Sequence, residues 1–166
     1  VLAAGERSRH HAVWCGALLR ALRRTLRREP CGVTLLLADD RAVRTLNRRH
    51  RGIDRTTDVL SFAAEGELEP GIPHLGEIVI SLPRARRQAE RARWPLKSEL
   101  ALLVTHGFLH LLGYDHETDD GTMRRRERRL LARVAGVTLA RRALPWGDDL
   151  ARPAARRRAR RKPHER

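Results

Sequence analysis

Between Leu100 and Leu112 the chain sets Leu100, Ala101, Leu102, Leu103, Val104, Phe108, Leu109, Leu111 and Leu112 on nearly every side of one helix. A helix that is apolar nearly all round has no face to show water, so it is predicted to be central and buried. His106 and His110 stand within it, four residues apart and therefore one turn apart on a shared face. Gly113 is a natural stop, because helices commonly end on a glycine in the left-handed conformation. The chain can then turn back and bring His116 to the same point. A single histidine on an apolar helix usually has its hydrogen bonds satisfied in the core. Here three of the eight histidines fall within eleven residues, and burying two imidazoles without a partner is costly. Three neutral imidazoles converging with one position left open is the arrangement of a catalytic zinc site.

The spacing H-x-x-x-H-x-x-G-x-x-H is also that of metzincin proteases. In H-E-x-x-H enzymes the residue after the first histidine is a glutamate that serves as general base. Here it is Gly107, which has no side chain to take a proton, so peptide hydrolysis by that route is disfavoured. The fuller string His106-Gly107-Phe108-Leu109-His110-Leu111-Leu112-Gly113-Tyr114-Asp115-His116 resembles the signature of the YbeY family, bacterial endoribonucleases and rRNA maturation factors. Leu46-Asn47, then Arg51-Gly52, then Thr57-Asp58-Val59-Leu60-Ser61-Phe62 is similar to the family's second signature. Thr56 stands where the family usually has proline, a change in loop stiffness more than in chemistry. Gly76-Glu77-Ile78-Val79-Ile80-Ser81 follows a third family string, with Glu77 in place of aspartate. The resemblance runs from about Val33 to Val137 and includes Met123 and Glu127.

That resemblance implies a zinc-dependent endoribonuclease of the cytoplasm, acting in rRNA maturation and ribosome quality control, including processing of the 3′ end of 16S rRNA. Its partners would be rRNA, or a ribosomal subunit with its associated proteins, with no membrane and no DNA specificity. The metal ligands would be His106, His110 and His116, with one Zn2+ per chain. Arg51 falls on the arginine thought to matter for RNA cleavage. An isolated arginine would instead be read as half of a structural salt bridge.

Charge agrees with a polyanionic partner. Thirty-five Lys and Arg against 20 Asp and Glu give a net +15, with a pI near 11.6, a balance that suits nucleic acid or a membrane surface. An arginine-rich codon bias alone does not account for it, since exchanging Lys for Arg leaves charge unchanged. No apolar run approaches the ~20 residues of a membrane span. Val1–Glu6 lacks a signal-peptide layout and an initiator Met, so the natural start is expected further upstream. Cys15 and Cys31 form no C-x-x-C pair and read as structural or incidental thiols of a reducing compartment.

Periodicity gives the elements. Val1–Ala4 reads as the remnant of a first strand. His11–Arg28 is an amphipathic helix with Trp14, Leu18, Leu22 and Leu26 inward, ended by Pro30. Val33–Ala38 is a buried strand, and Asp39 or Asp40 caps a helix over Arg41–Arg49. Asp58–Ala63 and Gly76–Leu82 are strands. Glu65–Leu75, with Pro70, Gly71 and Pro73, reads as a mobile loop in which His74 is exposed and not a fourth ligand. Glu77 either faces the site or stays solvated. Pro83 opens a helix to about Arg93, and Pro95 starts the buried one. Glu117–Asp120 suits the amino end of a helix over Thr122–Ala135. The fold expected is α+β, a small mixed sheet of about four strands packed with four to five helices. Residues 1–145 would form a single metal-dependent ribonuclease-like domain. Residues 146–166 would be a basic, disordered tail, since Ala151–Arg166 has eight Lys or Arg against one Glu.

The chemistry expected is cleavage of RNA phosphodiesters. A metal at the three histidines would polarise a phosphoryl oxygen or lower the pKa of water towards ~7. Arg51 would hold the scissile phosphate. Asp115, beside His116, would either orient a histidine through its free ring nitrogen or cap a turn. No side chain is an obvious general base, and the substrate's own 2′-hydroxyl could fill that gap. Two alternatives stand beside this reading: a non-catalytic ribosome-assembly factor with structural zinc, and a zinc hydrolase of another substrate class. Closed structural sites usually have four protein ligands, often thiolates, and neither cysteine lies near the histidines in sequence.

Overall fold

The structure, a computed structural model, describes residues 2–3, 6–26, 29–116 and 118–137. In chain order they form Leu2–Ala3 (β1), Glu6–Thr25 (α1), Gly32–Ala38 (β2), Asp40–Arg51 (α2), Val59–Ala63 (β3), Glu67–Glu69 (β4), Ile72–Ser81 (β5), Leu82–Ala92 (α3), Leu96–Leu111 (α4) and Thr122–Leu130 (α5). A wider, π-type turn over Leu131–Ala135 extends α5. The α+β class, the four-stranded mixed ladder and the helix number are as the sequence predicts. The basic segment 146–166 and the end of the expected domain at 145 lie outside the described residues.

The sheet order is β1-β2-β5-β3. β1 and β5 run parallel to β2, and β3 runs antiparallel to β5. Alternation along the strands separates two faces. Leu35, Leu37, Ile78 and Ile80 pack into the main core with α1 and α4. Leu60 and Val79 point the other way, against Val43 of α2, with Leu36, Leu46 and Phe62 around them. The sheet is therefore covered on both sides, α4 on one and α2 on the other.

The expected loop over Glu65–Leu75 is a hairpin. β4 pairs with the first residues of β5, Glu67 opposite Pro73 and Glu69 opposite Ile72. Gly71 takes φ +77° at the tip, where its N–H donates to Glu67 at 3.0 Å. Pro73 is tolerated because this arm lies at the sheet's edge, where a missing N–H costs little. His74, half-buried on β5, sits 3.3 Å from the Thr34 hydroxyl.

Helix ends follow local chemistry. Asp39 accepts from the Ala42 N–H at 2.7 Å and opens α2. Ser81 accepts from the Arg84 N–H and opens α3, with Pro83 in the first turn. Pro95 precedes α4, whose residues from Glu99 to Leu109 are all buried. Each fully buried Leu or Phe there is worth roughly 1.5–3 kcal/mol, so the position of α4 is strongly determined. Gly107 is where α4 comes closest to the sheet: a Cβ there would stand 2.9 Å from both Ile78 Cγ2 and Ser61 Oγ. A glutamate at 107 would enter that packed layer, which removes the protease reading on steric grounds as well. Gly107→Glu should therefore lower stability by more than ~3 kcal/mol, read as a fall in the urea midpoint. An unchanged midpoint would contradict this packing.

Candidate metal centre

The last turns of α4 bring the site together. His106 and His110 share one face of the helix, and their Nε2 atoms lie 3.0 Å apart. The chain leaves α4 through Gly113, at φ +84°, whose N–H donates to the His110 carbonyl. The Asp115 carbonyl then accepts from the Thr118 and Asp119 N–H groups, and its carboxylate accepts from the Thr118 hydroxyl. This turn holds His116 against the helix, with its ring centroid 5.1 Å from that of His106 and 5.3 Å from that of His110. Of the two roles expected for Asp115, these bonds are those of a turn cap.

One donor nitrogen from each of His106, His110 and His116 can be chosen so that all lie within 4.8 Å of one another. Nitrogens roughly 2 Å from one tetrahedral ion stand about 3.3 Å apart, so the group has the dimensions of a metal site. His106 is buried while His110 and His116 are half-buried, so the cluster opens to the surface on one side. No fourth His, Cys, Asp or Glu joins it among the described residues. Cys15 and Cys31 are not disulfide-bonded, and neither belongs to the group.

The electrostatics suit a cation. Burial is the main force lowering His106 to about 3 and His110 to about 4, and the neighbouring imidazoles push the same way. Both rings are thus neutral at neutral pH, as metal ligands must be. On the far side of His106, Nδ1 lies 3.1 Å from Glu127 Oε1, a carboxyl delivered by α5. Burial raises Glu127 to about 8. Without a cation burial therefore favours the carboxyl with its proton on. A positive ion on the Nε2 side would place that proton on Nδ1 and the charge on the carboxylate. The donor set fits a divalent metal.

Glu127 is the site neighbour whose role the sequence analysis missed. Its signal was nonetheless present: position 127 falls on the face of α5 that buries Met123 and Leu130, where an ordinary charge has no place. Asp119 provides the expected acidic cap, accepting from the Gly121 and Met123 N–H groups at 2.7 Å. Glu77 is exposed on β5, the solvated outcome of its two readings.

Arg51 is the exposed last residue of α2, a helix that packs on the sheet face opposite α4. It makes no ion pair or hydrogen bond among the described residues. The structural role falls to Arg44, which donates two hydrogen bonds of 2.8 Å to Asp54. Asn47 adds a 2.8 Å bond to the Arg55 carbonyl. Together they pin the segment that leads from Arg51 round the sheet edge to β3.

A family model described as Endoribonuclease YbeY matches residues 6–135. The chain belongs to the YbeY family. Among curated YbeY relatives, one from Wolinella succinogenes is 50% identical over 105 residues, 63% of this chain and 72% of the relative. Another from Moorella thermoacetica is 51% identical over 117 residues, 66% of this chain and 74% of the relative. Both are named Endoribonuclease YbeY. The chain also shares the fold of a Thermotoga maritima protein solved in solution, with a TM-score of 0.58 and 26% identity over 81% of this chain and 87% of that one.

Burial of the imidazoles has a consequence for acid stability of the metal-free protein. Above the ordinary value of 6.5, His110 is neutral both folded and unfolded. As pH falls from 6.5 towards its folded value of about 4, the unfolded chain takes up a proton that the folded chain refuses, so stability is lost in that window. Glu127 runs the other way between 4.5 and about 8, so a comparison is needed to isolate the histidine. Chelator-treated wild type should lose more stability than His110→Gln between pH 6.5 and 4, read from urea midpoints. Parallel profiles would contradict the burial.

Proposed function

We propose that this YbeY-family chain is a metal-dependent endoribonuclease acting in rRNA maturation, with zinc held by His106, His110 and His116. The observation that carries the reading is three ring nitrogens within 4.8 Å of one another on a face that opens to the surface. Among the described residues the group has three donors, which leaves room for a fourth, exchangeable position, as catalytic sites require. A structural zinc would instead be expected to have that position closed by the protein. The chemistry such an ion supplies is polarisation of a phosphoryl oxygen and a lowered pKa, towards ~7, for water.

The chain's own residues do the rest. His106, neutral and bonded to Glu127, keeps one nitrogen aimed into the cluster. Arg51 engages the scissile phosphate. Its guanidinium is exposed and has no carboxylate partner among the described residues, and a planar fork matches two phosphoryl oxygens. Arg48 and Arg49 share the last turn of α2 with Arg51, so positive potential is concentrated where the backbone of an RNA would pass. Residues 1–145 make up the catalytic domain, and 146–166 act as a basic tail that adds salt-sensitive RNA affinity. The partners are rRNA and the ribosomal subunit that carries it. The cytoplasm is the compartment this implies. Two cysteines without a disulfide agree with it, and no helix among the described residues is long and apolar enough to cross a membrane.

Cleavage of a structured rRNA fragment tests the reading. His110→Ala should lose zinc and cleavage together. Arg51→Ala should keep fold and zinc but cut on the order of 10²-fold more slowly, the scale of a lost charge-stabilising donor. Equal cleavage by all three proteins would refute the assignment. One bound zinc in wild type with no cleavage would favour the assembly factor.

A further inference from the structure

Helix α5 is strongly basic, with Arg124, Arg125, Arg126, Arg128 and Arg129 in a run broken only at position 127. The break is a glutamate, and it faces inward, 1 % exposed, between Met123 and Leu130. A carboxyl group in an apolar layer is costly unless it is hydrogen-bonded. Glu127 is bonded: its Oε1 lies 3.1 Å from His106 Nδ1, inside the core and across the α4–α5 contact.

From this contact we infer that Glu127 is the positioning residue of the metal centre, accepting the His106 Nδ1–H and so directing the Nε2 lone pair to the point shared with His110 and His116. The inference rests on the three-histidine metal reading and extends it to a residue on another helix. Two features give the contact a purpose beyond packing. It engages the ring nitrogen opposite the one that faces His110 at 3.0 Å, so with a cation on the Nε2 side it holds the proton on Nδ1. It also sets a negative charge one imidazole away from a dication, which increases the basicity of the histidine and offsets buried positive charge. A hydrophobic residue at 127 would pack α5 equally well and supply neither.

A comparison carboxylate exists in the same core. Glu99, also 1 % exposed, accepts from Trp94 Nε1 at 2.8 Å in the first turn of α4, and it is not part of the histidine group. If Glu127 served only as a satisfied buried acid, neutralising either residue would affect stability and leave metal affinity alone. The experiment is zinc affinity of the full chain by chelator competition, with the Co2+ absorption spectrum as a second readout of ligand geometry. Glu127→Gln, which keeps an acceptor and the volume but loses the charge, should bind zinc about 10-fold more weakly, and Glu127→Ala about 100-fold. Glu99→Gln should bind as wild type does. Wild-type affinity and an unaltered Co2+ spectrum in Glu127→Gln would overturn the inference, and that variant decides the question if the alanine protein does not fold. A wild-type chain that binds no zinc would remove the metal reading itself, and this inference with it.

Discussion

His106 is 5 % exposed in a helix whose neighbouring positions are almost all apolar, and the fold is arranged around that conflict. An imidazole in such surroundings must stay neutral and must satisfy both ring nitrogens. One nitrogen is answered by Glu127 of α5, and the other faces His110 and His116. To keep those partners in place, α4 has to be held without play, and Gly107 allows it to press directly on Ser61 and Ile78 of the sheet. The glycine that rules out a glutamate base is the same one that brings the helix close enough for a rigid site. Packing and chemistry make one demand at this position.

The histidine cluster belongs to α4 and the turn after it, while Arg51 ends α2. Segment 52–58 follows Arg51 and is tied down by Asn47 and by the Arg44–Asp54 pair. Its last residue, Asp58, accepts from the Val59 N–H and from Gln88. The string running from Leu46-Asn47 to Thr57-Asp58 thus describes a strap round the edge of the sheet, and not only a reactive arginine.

Much of this was legible in the residues. The all-round apolar pattern of α4 announced burial, and the i, i+4 histidines with Gly113 announced convergence, because both depend on local geometry. The sequence pattern begins α1 only at His11, since apolar spacing starts there, whereas the helix already holds Glu6–His10. The hairpin at 67–75 looks like a loop in the sequence, because Pro70, Gly71 and Pro73 are turn formers whichever way the flanking residues pair. Pairing is a tertiary fact that local composition does not carry. Glu127 was hidden differently. On its own helix it looks like one more charge among arginines, and only its phase with Met123 and Leu130 shows that it points inward. Its partner lies 21 residues away, a distance that spacing rules within one helix cannot bridge.

The central claim is that three histidines on one helix and one turn hold a single ion. Anomalous diffraction at the zinc edge, from crystals of protein purified with zinc, tests it most directly. One peak is expected at the point shared by His106 Nε2, His110 Nε2 and a ring nitrogen of His116, with no fourth protein donor. A structure with zinc bound elsewhere, and the three histidines bonded only to one another and to Glu127, would contradict it.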